Sequence, residues 1–290
     1  MTIAPSAISG HTSTYDFGSL SYDFSTRSYL MGILNVTPDS FADGGRYLDV
    51  KSAVRRGVEM EAEGADFVDV GGESTRPGSE TISVEEELRR VIPVIEELKG
   101  IVAIPISIDT WKSAVARRAL EVGATIVNDI SGFHFDPDMP GVVADHGASV
   151  ILMHIKGTPK TMQRNPTYQN VIREVMAYLG EGIEKARERG IQQIMVDPGI
   201  GFGKRLIDNL EILRGLRELK QIGFPVLVGP SRKSFIGVIL ELPVEQRLMG
   251  TAAAVAVSIL NGANIVRVHD VSAMKQIAKV VDAVRFGKAL

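Results

Sequence analysis

The sequence predicts an α/β fold, a closed (β/α)8 TIM barrel with an N-terminal β-hairpin capping the bottom of the barrel, on three observations. Eight short Val- and Ile-rich runs recur along the chain, a polar or glycine-containing loop and an amphipathic stretch follow them, and the chain has 290 residues, near the ~250 typical of such barrels. The runs are LMGILNV (30–36), DFVDV (66–70), IPISID (104–109), ATIVND (124–129), SVILMH (149–154), QIMVD (193–197), PVLVG (225–229) and NIVRVH (264–269). Between the second and third, SVEEELRRVIPVIEELK (83–99) places Val84, Leu88, Val91, Ile95 and Leu98 on one helical face. Ser83 and Glu86 offer a capping box, and Pro93 inside the pattern leaves room for a kink or a break. A last helix is expected over about 272–287, after the eighth run.

Ahead of the first run, Tyr15, Phe17, Leu20, Tyr22 and Phe24 alternate around Gly18-Ser19, which reads as the capping hairpin, with a frayed tip at about 1–12. An open doubly wound sheet is the structural competitor. It should carry G-x-G-x-x-G after its first strand, and GILNVTPDS does not. Residues 1–28 are thus a tail and hairpin, and 29–290 a single barrel domain.

Composition narrows the function. The 32 basic and 35 acidic residues give a net charge of −3, so no global basic field grips nucleic acid and any anion must be bound locally. Zero cysteines exclude disulfides, thiolate metal sites and cysteine nucleophiles. The start MTIAPSAISG lacks the regions of a secretion signal, and no apolar run reaches the ~18 residues of a membrane helix. A soluble, cytoplasmic protein with no membrane partner is expected.

Chemically unusual residues then fall at the C-terminal ends of seven of the eight runs, where a barrel of this kind builds its site. Asn35 ends the first; Glu73, Ser74, Thr75 and Arg76 follow the second; Asp109 ends the third; Asn128 and Asp129 end the fourth. Asp197 ends the sixth, Ser231, Arg232 and Lys233 follow the seventh, and Arg267 and His269 occupy alternate positions of the eighth. Taken singly, each has a plainer reading: Asp109 and Asp197 as helix caps, Asn128 as a partner for loop amides, Arg232 and Lys233 as solvated charges. Arg267 resists it, because an arginine inside an apolar barrel needs an anion.

Arg76, Arg267, His269 and Asn35, with Ser74 and Thr75, form a donor cluster suited to phosphate or pyrophosphate. Asp109, Asn128, Asp197 and Lys233 offer carboxylates and donors that match the polar rim of a flat heterocycle with an amidine-like edge, such as a pterin. GIGFGKR (199–205) misses the Walker spacing, since Arg205 follows Lys204, so its glycines are read as a tight bend with Phe202 as a stacking wall. No H-E-x-x-H pair occurs; His11, His134 and His146 read as loop or surface residues, and His154 is not assigned.

LMGILNVTPDSFADGG (30–45), VDVGGESTRPG (68–78), ISIDT (106–110), VNDISG (127–132), ILMHIKGTPKTMQ (151–163), VDPGIGFGK (196–204), LVGPSRKSFIG (227–237) and VRVHDV (266–271) together resemble the dihydropteroate synthases. The resemblance runs in order from about residue 29 to the end. It implies folate biosynthesis: p-aminobenzoate condenses with 6-hydroxymethyl-7,8-dihydropterin pyrophosphate to give 7,8-dihydropteroate and pyrophosphate. It further implies that Asn35 ligates a Mg2+ ion shared with the pyrophosphate, and that loops around 37–41 and 74–78 close over the substrates. Asp109, Asn128, Asp197 and Lys233 would hold the pterin, Arg76, Arg267 and His269, beside Thr75, the pyrophosphate, and Thr75, Pro77, Phe202 and Ser231 the p-aminobenzoate. Catalysis would fall to Asp109, Lys233, Arg267 and His269. A homodimer and sulfonamide sensitivity are implied as well, since SRKSFIG has the ordinary form.

Gly71 and Gly72 are expected to let the second strand turn at the mouth, ahead of a mobile lid at 74–78 whose arginine meets an anion. Two rival functions would use the same barrel. A corrinoid methyltransferase fed by methyltetrahydrofolate needs no pyrophosphate cluster, and a silent pterin-binding protein should have lost Asn35, Arg76, Arg267 or His269.

Overall fold

The structure, a computed structural model, describes residues 13–37 and 46–287. The expected tip at 1–12 and residues 38–41 of the first expected closing loop lie outside the described residues. Two antiparallel strands, β1 (Thr14–Phe17) and β2 (Leu20–Asp23), pair Phe17 with Leu20 and Tyr15 with Tyr22 across the Gly18-Ser19 turn. Gly18 sits at φ +64°, in the left-handed region that glycine enters without cost.

The barrel strands are β3 (Tyr29–Asn35), β4 (Phe67–Gly71), β5 (Ile106–Asp109), β6 (Ile126–Asp129), β7 (Ser149–Met153), β8 (Ile194–Asp197), β9 (Leu227–Val228) and β10 (Ile265–Val268). All pair in parallel in the order β8-β7-β6-β5-β4-β3-β10-β9. A parallel bridge between Val196 and Val226, with Val196 N donating to Pro225 O at 2.9 Å, joins the two ends. Each strand lies within one or two residues of its expected run. The seventh shrinks most: Pro225 has no N–H to offer a ladder, and only two residues stay fully paired.

Helices α1 (Arg46–Ala62), α2 (Val84–Lys99), α3 (Ser113–Val122), α4 (Met139–Asp145), α5 (Val171–Glu188), α6 (Leu206–Leu219), α7 (Ser234–Leu240), α8 (Leu248–Leu260) and α9 (Val271–Phe286) surround the strands. α2 runs through Pro93 without a break, burying Val91, Val94, Ile95 and Leu98. Half of its expected capping box forms: Ser83 accepts from Glu86 N at 3.2 Å, while the Glu86 carboxylate pairs with Arg89 and Arg90 instead.

Along each strand, side chains two residues apart share a face. At the N-terminal ends the interior positions Met31, Phe67, Ile126, Ile151, Met195, Leu227 and Ile265 pack with Tyr15, Phe17, Phe24 and Tyr29 into one buried cluster. The hairpin closes this end, Phe17 meeting Phe67 edge to face at 5.2 Å and Tyr15 Oη donating to Ile194 O at 2.8 Å. Its buried hydroxyl thus has a partner. Two residues further along the same strands stand Ile33, Asp69, Asn128, Met153, Asp197, Gly229 and Arg267. The interior changes from apolar to charged within one such step.

Candidate active site

The centre of the charged end is Arg267, held on β10. Its Nε donates to Asp69 Oδ2 at 2.5 Å and one terminal nitrogen donates to Asp109 Oδ2 at 2.6 Å. Asn128 Nδ2 donates to the same Asp69 oxygen at 2.9 Å. Arg267 therefore joins the residues expected to hold the heterocycle, and its buried anions are carboxylates of the protein. The parallel register explains the meeting: Asp69 pairs with Ser107, and Asp109 with Asn128, on neighbouring strands. Asp69 was not singled out by sequence reasoning. Its signal was there, an acid inside the apolar VDV of a strand buried on both faces.

The network is unfinished. Asp69 Oδ1, Asp109 Oδ1 and Asn128 Oδ1 are buried and lack a hydrogen-bond partner among the described residues, a costly arrangement unless a ligand supplies donors. Burial pushes the Asp109 carboxyl upward, with Asp69 adding to the rise and Arg267 and Lys233 opposing it. Asp197, whose Oδ1 accepts from Gly199 N at 2.7 Å, is pushed up by burial to about 6. Lys233, at the N-cap of α7, lies 4.2 Å over the Phe202 ring; burial, then Arg267, lowers its ammonium to about 8.

Ser231 and His269 form a second unit. Ser231 Oγ lies 2.9 Å from His269 Nδ1 and accepts from His269 N at 3.2 Å. With the Ser231 proton given to Nδ1, the ring proton would sit on Nε2, available to a ligand. Burial, then Arg267, drops the imidazole to about 4, so the ring is neutral near pH 7. His269 and Asn35 line one cavity of about 460 Å³ together with Ser52, Arg55 and Arg56 of α1. A cavity of about 470 Å³ between α3 and α4, with Arg117, Asp138, Asp145 and Arg189, lies on the flank and includes none of the expected site residues.

Thr75, Arg76 and Pro77 sit on the β4–α2 connection, Arg76 and Pro77 exposed and Thr75 half-buried. Among the described residues no hydrogen bond or ion pair joins Arg76 to His269 or Arg267; the segment instead touches the β7–α5 connection, Gly78 N donating to Pro159 O at 3.0 Å. The two glycines ahead of it have ordinary φ. Space, not turning, requires one of them, because a Cβ on Gly72 would stand 2.6 Å from Val91 Cγ1.

An apolar wall completes the mouth: Ile130, Met153, Ile155, Met162 and Phe202, with Trp111 and Phe135 against them. Phe202 is held by Lys204, whose Nζ donates to Phe202 O at 3.0 Å and to His154 Nδ1 at 2.8 Å. His154, unassigned from sequence, is thus an acceptor for a buried lysine, and burial drives it down to about 2. Asp129 satisfies the turn that follows it, accepting from Ser131 N, Ser131 Oγ and Phe133 N. Arg232 pairs with Asp270, and His134 stacks on Tyr178 at 3.8 Å.

Residues 31–269 match the family described as "Pterin binding enzyme". A dihydropteroate synthase of Synechocystis is 51% identical over 269 residues, covering 92% of this chain and 93% of its own. The Yersinia pestis dihydropteroate synthase, solved as a sulfonamide drug complex, superimposes with a TM-score of 0.89 at 39% identity over 94% of this chain and 99% of that one. The Xanthomonas albilineans dihydropteroate synthase, solved with 4-aminobenzoic acid, gives 0.88 at 42% identity over 95% and 99%.

Proposed function

The chain belongs to the pterin-binding enzyme family, and from that premise we propose how its barrel mouth divides the work of dihydropteroate synthesis. The enzyme condenses 6-hydroxymethyl-7,8-dihydropterin pyrophosphate with p-aminobenzoate, forming 7,8-dihydropteroate and pyrophosphate for folate biosynthesis. The observation that carries the reading of the site is the unfinished network around Arg267. Buried oxygens of Asp109 and Asn128 stand beside a fixed guanidinium, ready for the donors of a pterin edge.

Asp109, Asn128, Asp197 and Lys233 hold the pterin. As pyrophosphate leaves, positive charge spreads into the ring, and Asp109 favours that charge. At an effective dielectric of ~20, opposite unit charges 4 Å apart attract by about 4 kcal/mol, worth ~10^3 in rate if expressed only in the transition state. Arg267, anchored between Asp69 and Asp109, bridges the pterin pocket to the leaving group; Arg76, Thr75 and the Nε2 proton of His269 complete the anion side. Thr75, Pro77, Phe202 and Ser231 shape the p-aminobenzoate pocket, where the weak aniline nucleophile needs positioning more than deprotonation. Sulfonamides compete there, as the Yersinia pestis complex supports.

A Mg2+ ion fits this donor set. Among the described residues no group of three acidic or histidine ligands exists, and Mg2+ commonly takes one or two protein oxygens with substrate phosphates and water. Asn35 supplies such an oxygen: its Oδ1 lies 3.9 Å from the point a Cβ on Gly71 would occupy, and Asp109 Oδ2 lies 3.6 Å from the same point. When bound, the ion shields the charge developing on pyrophosphate. Pyrophosphate release measured with Mg2+ and with EDTA, in the native enzyme and in Asn35→Ala, tests this. Metal dependence that weakens in the variant is expected; equal turnover in EDTA would contradict it.

The enzyme works as a cytoplasmic homodimer in this reading. Val238 and Ile239 of α7 and Met249 of α8 are exposed, Met249 at 77%, and an apolar face of this kind is suited to a second copy.

A further inference from the structure

The β4–α2 connection carries Thr75, Arg76 and Pro77, and its tip is weakly held. Beyond the Gly78 to Pro159 bond, an ion pair between Lys160 and Glu80 at 2.8 Å links two mostly exposed side chains, an arrangement that contributes little in water. The base differs. Lys112, at the N-cap of α3, is buried, and its Nζ donates to Glu73 Oε2 at 2.6 Å, to Glu87 Oε2 at 2.6 Å and to Ile82 O at 2.8 Å. An ammonium has three N–H groups, and all three are spent.

The partners are informative by position. Glu73 opens the connection, Ile82 closes it two residues before α2, and Glu87 lies near the start of α2. One side chain on a different βα connection therefore ties both ends of the substrate-facing segment together. Two carboxylates share one ammonium, and Glu87 Oε1 is buried without a partner among the described residues. A buried set with a surplus charge is poor value for stability, since apolar residues of similar volume usually do as well or better. Fixed geometry is what it supplies.

We propose that Lys112 is a positioning residue for the reaction: it locks both ends of the 73–82 segment to the strand end that presents Asp109, so that the tip can move while its base stays in register. The inference rests on Thr75, Arg76 and Pro77 being substrate-binding residues, as proposed above. Trp111, the only tryptophan of the chain, reports on it directly, because Lys112 Nζ lies 5.3 Å from its ring centroid.

The test compares Lys112→Met with the triple variant Lys112→Met, Glu73→Gln, Glu87→Gln, which removes the charges together and leaves no unpaired buried carboxylate. Steady-state constants for both substrates, pterin pyrophosphate affinity and Trp111 emission are measured on the folded enzyme. In the triple variant KM for p-aminobenzoate is expected to rise about tenfold with kcat falling by a similar factor, as for a displaced substrate-positioning group. Pterin affinity should hold; Trp111 emission is expected to change on substrate binding in the native enzyme, and that change should disappear in the triple variant. A folded triple variant with native constants and native emission would overturn the proposal. Arg76→Ala run alongside separates the two ideas: if it too is silent, the reading of the segment fails, whereas an impaired Arg76→Ala beside a native triple variant sinks Lys112 alone. Hydrogen exchange on the native enzyme decides the matter should the variants not fold. Protected amides near 73 and 82 flanking an unprotected 76–80 support the lock, and uniformly fast exchange across 73–82 contradicts it.

Discussion

The two ends of this barrel are built from the same eight strands and from neighbouring positions on them, yet they solve opposite problems. At the bottom Met31, Phe67, Ile126, Ile151, Met195, Leu227 and Ile265 are buried against the hairpin aromatics. Two residues on, Asp69, Asn128 and Asp197 are buried as well beside a half-buried Arg267, and one oxygen each of Asp69 and Asn128 has no hydrogen-bond partner among the described residues. The bottom gains stability from dispersion and area removed from water; the mouth gives stability up to hold charge in a fixed geometry. One pleat step separates the apolar part of the interior that folds the chain from the charged part proposed to act on a substrate.

A matched pair of truncations separates the two ends. Asp109→Ala is expected to lower kcat/KM by ~10^3 while the melting temperature holds or rises. Phe67→Ala, at the bottom, should instead cost about 3–5 kcal/mol of stability and leave the kinetic constants of the folded enzyme near native. Kinetics beside denaturant unfolding checks both, and a reversal of the two outcomes would dissolve the division.

Within the mouth, pH separates binding from stability. The Asp197 carboxyl is raised from 3.8 to about 6 in the folded enzyme, so pterin affinity should fall as pH drops through about 6, and Asp197→Asn should lose that dependence. The sign for stability runs the other way. The folded state binds the proton more tightly than the unfolded chain, so the contribution of this group is fully present below about 3.8 and is lost as pH rises through about 6. Titration calorimetry and unfolding across pH 4 to 7 should therefore show affinity and this share of stability moving in opposite directions.

The smallest effect lies outside both ends. Met249→Asp on α8 should give monomers by light scattering with little change in melting temperature, because the side chain is 77% exposed in the isolated chain. A dimer that survives the charge would move the interface elsewhere.

Most of the barrel was legible because its signals are local. Val- and Ile-rich runs marked the strands within one or two residues, and alternation pointed Arg267 and His269 inward together. What escaped depended on pairing between distant segments. Asp69 reads as one more strand residue until the register sets it beside Asn128 and within reach of Arg267, 198 residues away in sequence. Lys112 gives no signal of its own in the sequence; only folding surrounds it with Glu73 and Glu87. The sequence also assigned Arg267 to the anion cluster alone, although charge balance inside an apolar barrel demanded internal carboxylates near it.

Whether the mouth stabilises separating charges is measured with pterin pyrophosphate labelled with 18O at the oxygen joining the methylene carbon to phosphorus. The enzyme is incubated with this substrate and Mg2+, and p-aminobenzoate is left out. If the bond breaks to a held cation and pyrophosphate, the two recombine and the label moves into non-bridging phosphate positions, a movement that Asp109→Ala should suppress. A label that stays in place, in an enzyme that turns over once p-aminobenzoate is added, would contradict the account and point to direct displacement.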